Sequence, residues 1–120
     1  MNLTNKVLKL LGMKLAADML ENPVPSEQKL FRAILTLALE DVLSNSQGRH
    51  ESVVKAEAHD WFMSDSEDYK NVCSIAGLDS DWVRERYVKA LDSGQVVFTM
   101  KQHLQVKYTR LYEDLRAAKD

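Results

Sequence analysis

The sequence predicts an all-α fold, a five- to six-helix orthogonal bundle forming a single domain. Apolar residues recur at three- and four-residue steps along most of the chain, which is the spacing of amphipathic helices. Only four glycines and two prolines occur among the 120 residues, too few to punctuate a fold of many short strands. The apolar fraction of 45% and the charged fraction of 28% are typical of globular proteins. A chain of this length can bury a core without disulfides or a bound metal.

The first 21 residues predict an amphipathic N-terminal helix, because leucine and valine recur there at helical spacing. Pro23 and Pro25 disfavour a helical conformation in the residues before them, so residues 22–25 are predicted to be a linker. Lysines and an aspartate interrupt the leucines, so the segment matches neither a signal peptide nor a membrane span. The apolar stripe of this helix consists of Leu3, Val7, Leu10, Leu11 and Leu15.

A helical core is expected over residues 26–98. Its first helix has Ser26 as a suitable N-cap, and its apolar residues cover far more than one stripe, which predicts burial on several sides. A second core helix is predicted over about residues 50–63. Ser66 is suited to cap a short third helix that ends at Gly77.

The last part of the chain predicts two further helices and a connection between them. One helix is expected over about residues 81–91, and residues 95–98 are compatible with either a short strand or an extended link. A capping-box pattern at residues 99–102 begins a C-terminal helix over residues 99–118. The apolar stripe of that helix consists of Met100, Leu104, Tyr108, Leu111 and Leu115.

Residues 71–91 predict an internal helix-turn-helix. The motif needs a small residue in its first helix, a glycine-like residue in the turn, and apolar residues around both. Arg86 departs from the pattern, because an apolar residue is expected at that position, and Tyr87 would have to pack in its place. The residues that match are Val72, Cys73, Ala76, Gly77, Leu78 and Val83.

DNA binding is the first functional hypothesis. The second helix of the motif would enter the major groove, where the planar fork of Arg84 suits a guanine edge or a phosphate. The chain has a net charge of −2, but residues 82–120 carry eight Lys and Arg against five Asp and Glu. Asp79, Asp81 and Glu85 oppose the hypothesis, because carboxylates repel phosphates. The candidate DNA-binding residues are Ser80, Arg84, Lys89, Lys101, Lys107 and Arg110.

The alternative is a helical protein–protein interaction module that does not bind DNA. The first or the last amphipathic helix would then supply the partner surface. A homodimer is compatible with both hypotheses. The expected partners are therefore double-stranded DNA, a second copy or a host protein, with no membrane, small-molecule ligand or cofactor.

No residue pattern indicates an enzyme or a metal site. His59 and Asp60 resemble the paired ligands of HD-type phosphohydrolases, but the companion ligands are missing, and we expect a surface histidine. Cys73 lies on an apolar helix face, which favours a packed core thiol over a nucleophile. A lone cysteine also fits a reducing compartment, so a soluble, cytoplasmic protein is expected.

One block of residues resembles a block in small, mostly uncharacterised helical proteins of bacteriophages and bacteria, often alphaproteobacteria. The likeness covers roughly residues 31–91. Where those proteins usually have proline after the turn aspartate, this chain has Ser80. The resemblance implies a helix-turn-helix-like core and a phage or bacterial setting, without an established activity. In that setting the interaction module would be, for example, a phage factor that binds a host protein. The block consists of Trp61-Phe62-Met63-Ser64, Val72-Cys73-Ser74-Ile75-Ala76-Gly77-Leu78-Asp79 and Val83-Arg84.

Overall fold

A computed structural model describes residues 6, 9, 10 and 26–119 of the chain. Residues 26–119 form five helices and no strand, which confirms the all-α prediction. Residues 6, 9 and 10 are also helical, and the rest of the predicted N-terminal helix and its linker lie outside the described residues. The five helices are α1 (Ser26–Leu43), α2 (Arg49–Met63), α3 (Glu67–Ala76), α4 (Ser80–Asp92) and α5 (Met100–Lys119).

The core lies where α1, α2, α3 and α4 meet, while α5 packs against the other side of α2. Phe62 of α2 is fully buried at its centre, with its ring stacked on Tyr87 of α4 at a centroid distance of 4.8 Å. Tyr69 and Trp61 meet the same ring edge-on at 5.9 and 5.2 Å. Trp82 is partly buried and packs at the edge of this core.

Local capping interactions set the helix boundaries close to where the sequence predicts them. The Ser66 hydroxyl accepts a hydrogen bond from the Tyr69 amide and begins α3. At the start of α4 the N-cap is Asp79, whose carboxylate accepts from the Asp81 amide at 2.8 Å. A capping box begins α5, because Thr99 and Gln102 each accept a hydrogen bond from the other's backbone amide.

The prediction that α1 is buried on several sides is wrong. Leu30 and Leu37 are 59% and 60% exposed, and Ile34 is exposed between them. Two helices, α2 and α3, pack against α1. Both lie against the half that carries Leu35 and Leu39. The opposite half therefore keeps its apolar side chains in solvent.

Residues 95–98 form an irregular link rather than a strand, and its first two residues are bends. The link is held by Lys55 of α2, a lysine that is only 1% exposed. Its ammonium donates to the carbonyl oxygens of Val97 and Ser44, at 2.5 and 2.7 Å, and lies 4.9 Å from the centroid of the Phe98 ring. Burial lowers the pKa of Lys55. The Lys55 side chain therefore holds both the α1–α2 connection and the α4–α5 connection by hydrogen bonds to their carbonyl oxygens.

Candidate functional site

The predicted helix-turn-helix segment consists of α3 and α4, joined at Gly77. This glycine has φ 81°, the left-handed conformation that a tight corner needs and that glycine adopts without steric cost. The carbonyl of Ala76 beside it accepts from Arg32 at 2.9 Å and from Gln28 at 3.2 Å, both on α1. The corner is therefore fixed against the rest of the bundle by side-chain hydrogen bonds.

Arg84, the residue expected to reach a base or a phosphate, is instead part of the fold. Its Nε donates to the carbonyl oxygen of Phe62 at 2.9 Å, at the C-terminal end of α2. Its terminal nitrogen binds Asp65 at 2.9 Å, and its guanidinium lies 5.1 Å from the centroid of the Tyr69 ring. The hydrogen bond from Arg84 lowers the pKa of the Asp65 carboxyl. The side chain is only 22% exposed, which leaves little of it to contact DNA.

The outward face of α4 is mainly acidic. Asp81, Glu85 and Asp92 are exposed on it, and Lys89 is its exposed cation, lying 3.7 Å from Glu85. Ser80 is half-buried, and its carbonyl oxygen accepts a hydrogen bond from the Tyr69 hydroxyl at 2.7 Å. A helix that presents three carboxylates and one ammonium is poorly suited to approach a polyanion.

The other three candidate DNA-binding residues lie on α5 rather than on the corner. Lys101, Lys107 and Arg110 are all exposed. Arg110 is paired with Asp60 of α2 at 3.1 Å and with Asp114 of its own helix at 2.9 Å. The structure therefore divides the six candidates between two helices and engages both arginines in intramolecular contacts.

Among the described residues, the largest group of exposed apolar side chains follows the outer face of α5. Each is more than half exposed, from 57% for Leu111 to 78% for Met100. They recur at steps of four, four, three and four residues, which places them on one stripe of a helix with about 3.6 residues per turn. We call this stripe the α5 apolar face, and it consists of Met100, Leu104, Tyr108, Leu111 and Leu115.

The side of α5 that packs against α2 is the more polar side. Gln102 is 2% exposed, and its side-chain amide donates to the carbonyl of Ser46 and the hydroxyl of Ser52, both at 3.2 Å. Val106, Thr109 and Glu113, which follow Gln102 at helical spacing, are half-buried. The helix is thus fixed with its apolar face pointing away from the bundle.

A groove of about 590 Å³ runs between α2 and α5, beside the α5 apolar face. Trp61 of α2 and Tyr112 of α5 line it, and Tyr108 belongs to both the groove and the apolar face. Glu57 and Glu113 supply carboxylates to its walls. Aromatic rings and carboxylates together make the groove an amphipathic extension of the apolar face.

His59 is half-buried rather than on the surface, which corrects the expectation from the sequence. Its Nδ1 shares a hydrogen bond with the Tyr87 hydroxyl, and its ring lies 5.2 Å from that of Phe98. Burial lowers the pKa of His59. Cys73 is buried in the core as predicted, and its burial raises the pKa of the thiol. Among the described residues, no three His, Cys, Asp or Glu side chains are placed to share a metal ion.

The stripe of apolar residues on the last helix could be seen in the sequence, but its direction could not. The spacing of an apolar stripe does not by itself distinguish one that faces the core from one that faces solvent. The one signal is Gln102, which the capping box places in the first turn of α5 and which the bundle then buries.

No protein-family model matches the chain, and no curated protein or solved structure matches it. The resemblance to small phage and bacterial proteins therefore stays a prediction. In the part of the chain that the structure describes, no helix has both the length and the apolar character of a membrane span.

Proposed function

We propose that this chain is a protein-interaction module that binds an amphipathic helix of a protein partner along the α5 apolar face. The observation that carries the proposal is the direction of this face, which lies opposite the side that packs on α2. From Met100 to Leu115 the face extends over about 23 Å, the length of four turns of helix. Contiguous exposed apolar surface of this kind is typical of interaction sites in soluble proteins.

A helix is the partner element that suits this surface. Helix recognition uses anchors at three- and four-residue steps along a rigid apolar stripe. The α5 apolar face offers large side chains at those steps, including Tyr108, a residue type enriched in interfaces. Because α5 is already folded on α2 and capped by Thr99 and Gln102, binding does not have to form this helix.

DNA binding through α3 and α4 is less well supported. The Gly77 corner has the backbone conformation that the motif requires. However, Arg84 is engaged with Phe62 and Asp65, and the exposed face of α4 is acidic. The long-range attraction that most DNA-binding domains use is therefore weak at this surface.

Site-specific photocrosslinking in the cells that express the full chain tests the proposal. A benzophenone amino acid at position 111 should give discrete protein adducts. The same group at position 85, on the acidic face of α4, should give none. Adding Leu104→Glu to the position-111 variant should abolish the adducts, because a charge would interrupt the apolar face.

Leu37→Glu is the matched control, since Leu37 is equally exposed but lies on α1. It should leave the adducts from position 111 unchanged. Absence of any protein adduct from position 111 would refute the proposed function.

Fluorescence anisotropy with labelled mixed-sequence duplexes at low salt tests the DNA-binding alternative. Binding of DNA that Leu104→Glu leaves unchanged would favour the DNA-binding hypothesis.

A further inference from the structure

We propose that the helix bound by the α5 apolar face is the α5 of a second copy of this chain, aligned antiparallel to the first. This inference rests on the proposed function and names its partner. It is carried by two properties of α5, the heptad spacing of its apolar side chains and the placement of two opposite charges along one edge.

The spacing on α5 matches the two core positions of a heptad repeat. Tyr108 and Leu115 occupy one of these positions, and Leu104 and Leu111 occupy the other. In an antiparallel pair with its two-fold axis between residues 109 and 110, Tyr108 faces Leu111 of the second copy. Leu104 then faces Leu115 of the second copy. Each contact occurs twice, so a single helix supplies both sides of the interface.

Opposite charges lie along one edge of this stripe. Lys107 and Asp114 are seven residues apart and flank the same side of the apolar face. The two-fold axis that pairs the apolar layers also brings Lys107 to within about two residues, or roughly 3 Å along the helix axis, of Asp114 in the second copy. Both residues are exposed, and Asp114 also binds Arg110 of its own helix at 2.9 Å. In the dimer its carboxylate would accept from Lys107 of the second copy as well, so the arrangement makes two ion pairs across the interface.

A parallel pairing is less favourable for the same sequence. Equivalent residues face each other in a parallel pair, so Lys101, at a core position of the first heptad, would meet Lys101 of the second copy. In the antiparallel register Lys101 faces Ala118 of the second copy, and its charge stays in solvent. Like charges in contact are destabilising, which favours the antiparallel arrangement.

The part of the fold that the structure describes leaves this pairing open. The α2 helix packs on the side of α5 that carries Gln102 and Thr109, opposite the apolar face. The Arg110–Asp60 ion pair joins α5 to α2, on a different side of α5 from the apolar face. A second copy would thus add a helix to the outer layer of the bundle while the contacts of α5 with α2 stay in place.

Charge reversal with sedimentation equilibrium tests the inference. The wild-type chain should self-associate to a dimer at concentrations on the order of 10 to 100 µM. Lys107→Glu places a carboxylate beside Asp114 of the second copy, and Asp114→Lys places an ammonium beside Lys107 of the second copy. Each variant alone should raise the dimer dissociation constant by about tenfold or more.

An equimolar mixture of the two variants provides the decisive measurement. In a mixed dimer both ion pairs have opposite charges again, so the mixture should associate about as tightly as wild type. Lys89→Glu, on α4, is the matched control and should leave dimerisation unchanged. Leu111→Glu, at an exposed position in the centre of the face, should give a monomer with an unaltered circular dichroism spectrum.

Two results would overturn the inference. One is a wild-type chain that remains monomeric to about 300 µM. The other is a mixture that associates no better than its two components, which would assign dimerisation to a different surface or register. A monomeric chain whose position-111 adducts contain a different protein would refute the second copy and leave the proposed function standing.

Discussion

Arg84→Ala should destabilise the protein by about 2–3 kcal/mol, because the structure assigns this arginine to the fold. Its Nε donates to the carbonyl oxygen of Phe62, one of the C-terminal carbonyls of α2 that lack a partner within the helix. The guanidinium also covers the ring of buried Tyr69. Alanine would remove both contacts and expose the end of α2.

The magnitude follows from these two contacts. A hydrogen bond from a charged donor contributes about 1.5–3 kcal/mol, and the 22% exposure of Arg84 places it near the lower end. The contact with the Tyr69 ring adds about 0.5–1 kcal/mol. The ion pair with exposed Asp65 is omitted from the sum, because solvent screens it. For a domain of this size, the total corresponds to a decrease in Tm of roughly 8–12 °C.

Thermal unfolding followed by circular dichroism measures the effect. Lys89→Ala is the matched control, since Lys89 is an exposed cation on the same helix with only an exposed glutamate beside it. It should change the stability by less than about 0.5 kcal/mol. If Arg84→Ala melts within about 2 °C of wild type, the arginine is a solvent-facing side chain, and its availability to DNA has to be reconsidered.

Two further substitutions test the corner and the buried histidine. Gly77→Ala should destabilise the protein by more than Gly94→Ala in urea unfolding. Both glycines have positive φ, which costs about 1–2 kcal/mol for alanine. A Cβ at position 77 would in addition displace the side-chain amide of Gln28 from its hydrogen bond to the Ala76 carbonyl, whereas nothing lies within 4 Å of a Cβ at position 94. Equal losses would contradict this. Because burial lowers the pKa of His59 in the folded chain, the unfolded chain binds the proton first, and stability should fall as the pH falls below about 6.5. His59→Gln should reduce this dependence and His50→Gln, at an exposed position, should not.

Much of the fold could be predicted because the helix boundaries depend on hydrogen bonds between residues that are close in the sequence. Ser66 accepts from an amide three residues away, and the capping box over residues 99–102 closes within one turn. Gly77 ends α3 because its own backbone conformation excludes most other residues. Interactions of this range can be inferred from a sequence segment without knowing what surrounds it.

The roles of several side chains could not be predicted, because their partners are distant in the sequence. Arg84 binds the Phe62 carbonyl 22 residues before it, and Lys55 reaches the Val97 carbonyl 42 residues after it. The sequence around a basic residue on a predicted recognition helix is the same whether that residue faces DNA or the end of another helix. Only the packing of α2 beside α4 distinguishes the two.

The same limit applies to amphipathic helices. The sequence shows apolar residues on several sides of α1 and an apolar stripe on α5, and apolar residues of a helix ordinarily face the core. In α1 two neighbouring helices cover one half and leave Leu30 and Leu37 exposed. In α5 the whole stripe lies in solvent. Which face is buried depends on where the neighbours pack, and the spacing along one helix does not contain that information.

The orientation of α5 is itself an argument for a partner. If the helix were turned to place Leu104 and Leu111 against α2, Gln102 would lose its hydrogen bonds to Ser46 and Ser52, and Arg110 would lose Asp60. Polar contacts thus hold the helix in the orientation that exposes most apolar surface, which is unfavourable for an isolated chain in water. The arrangement becomes favourable once a second apolar helix covers the exposed face, because the polar contacts with α2 are then kept while the apolar stripe is buried.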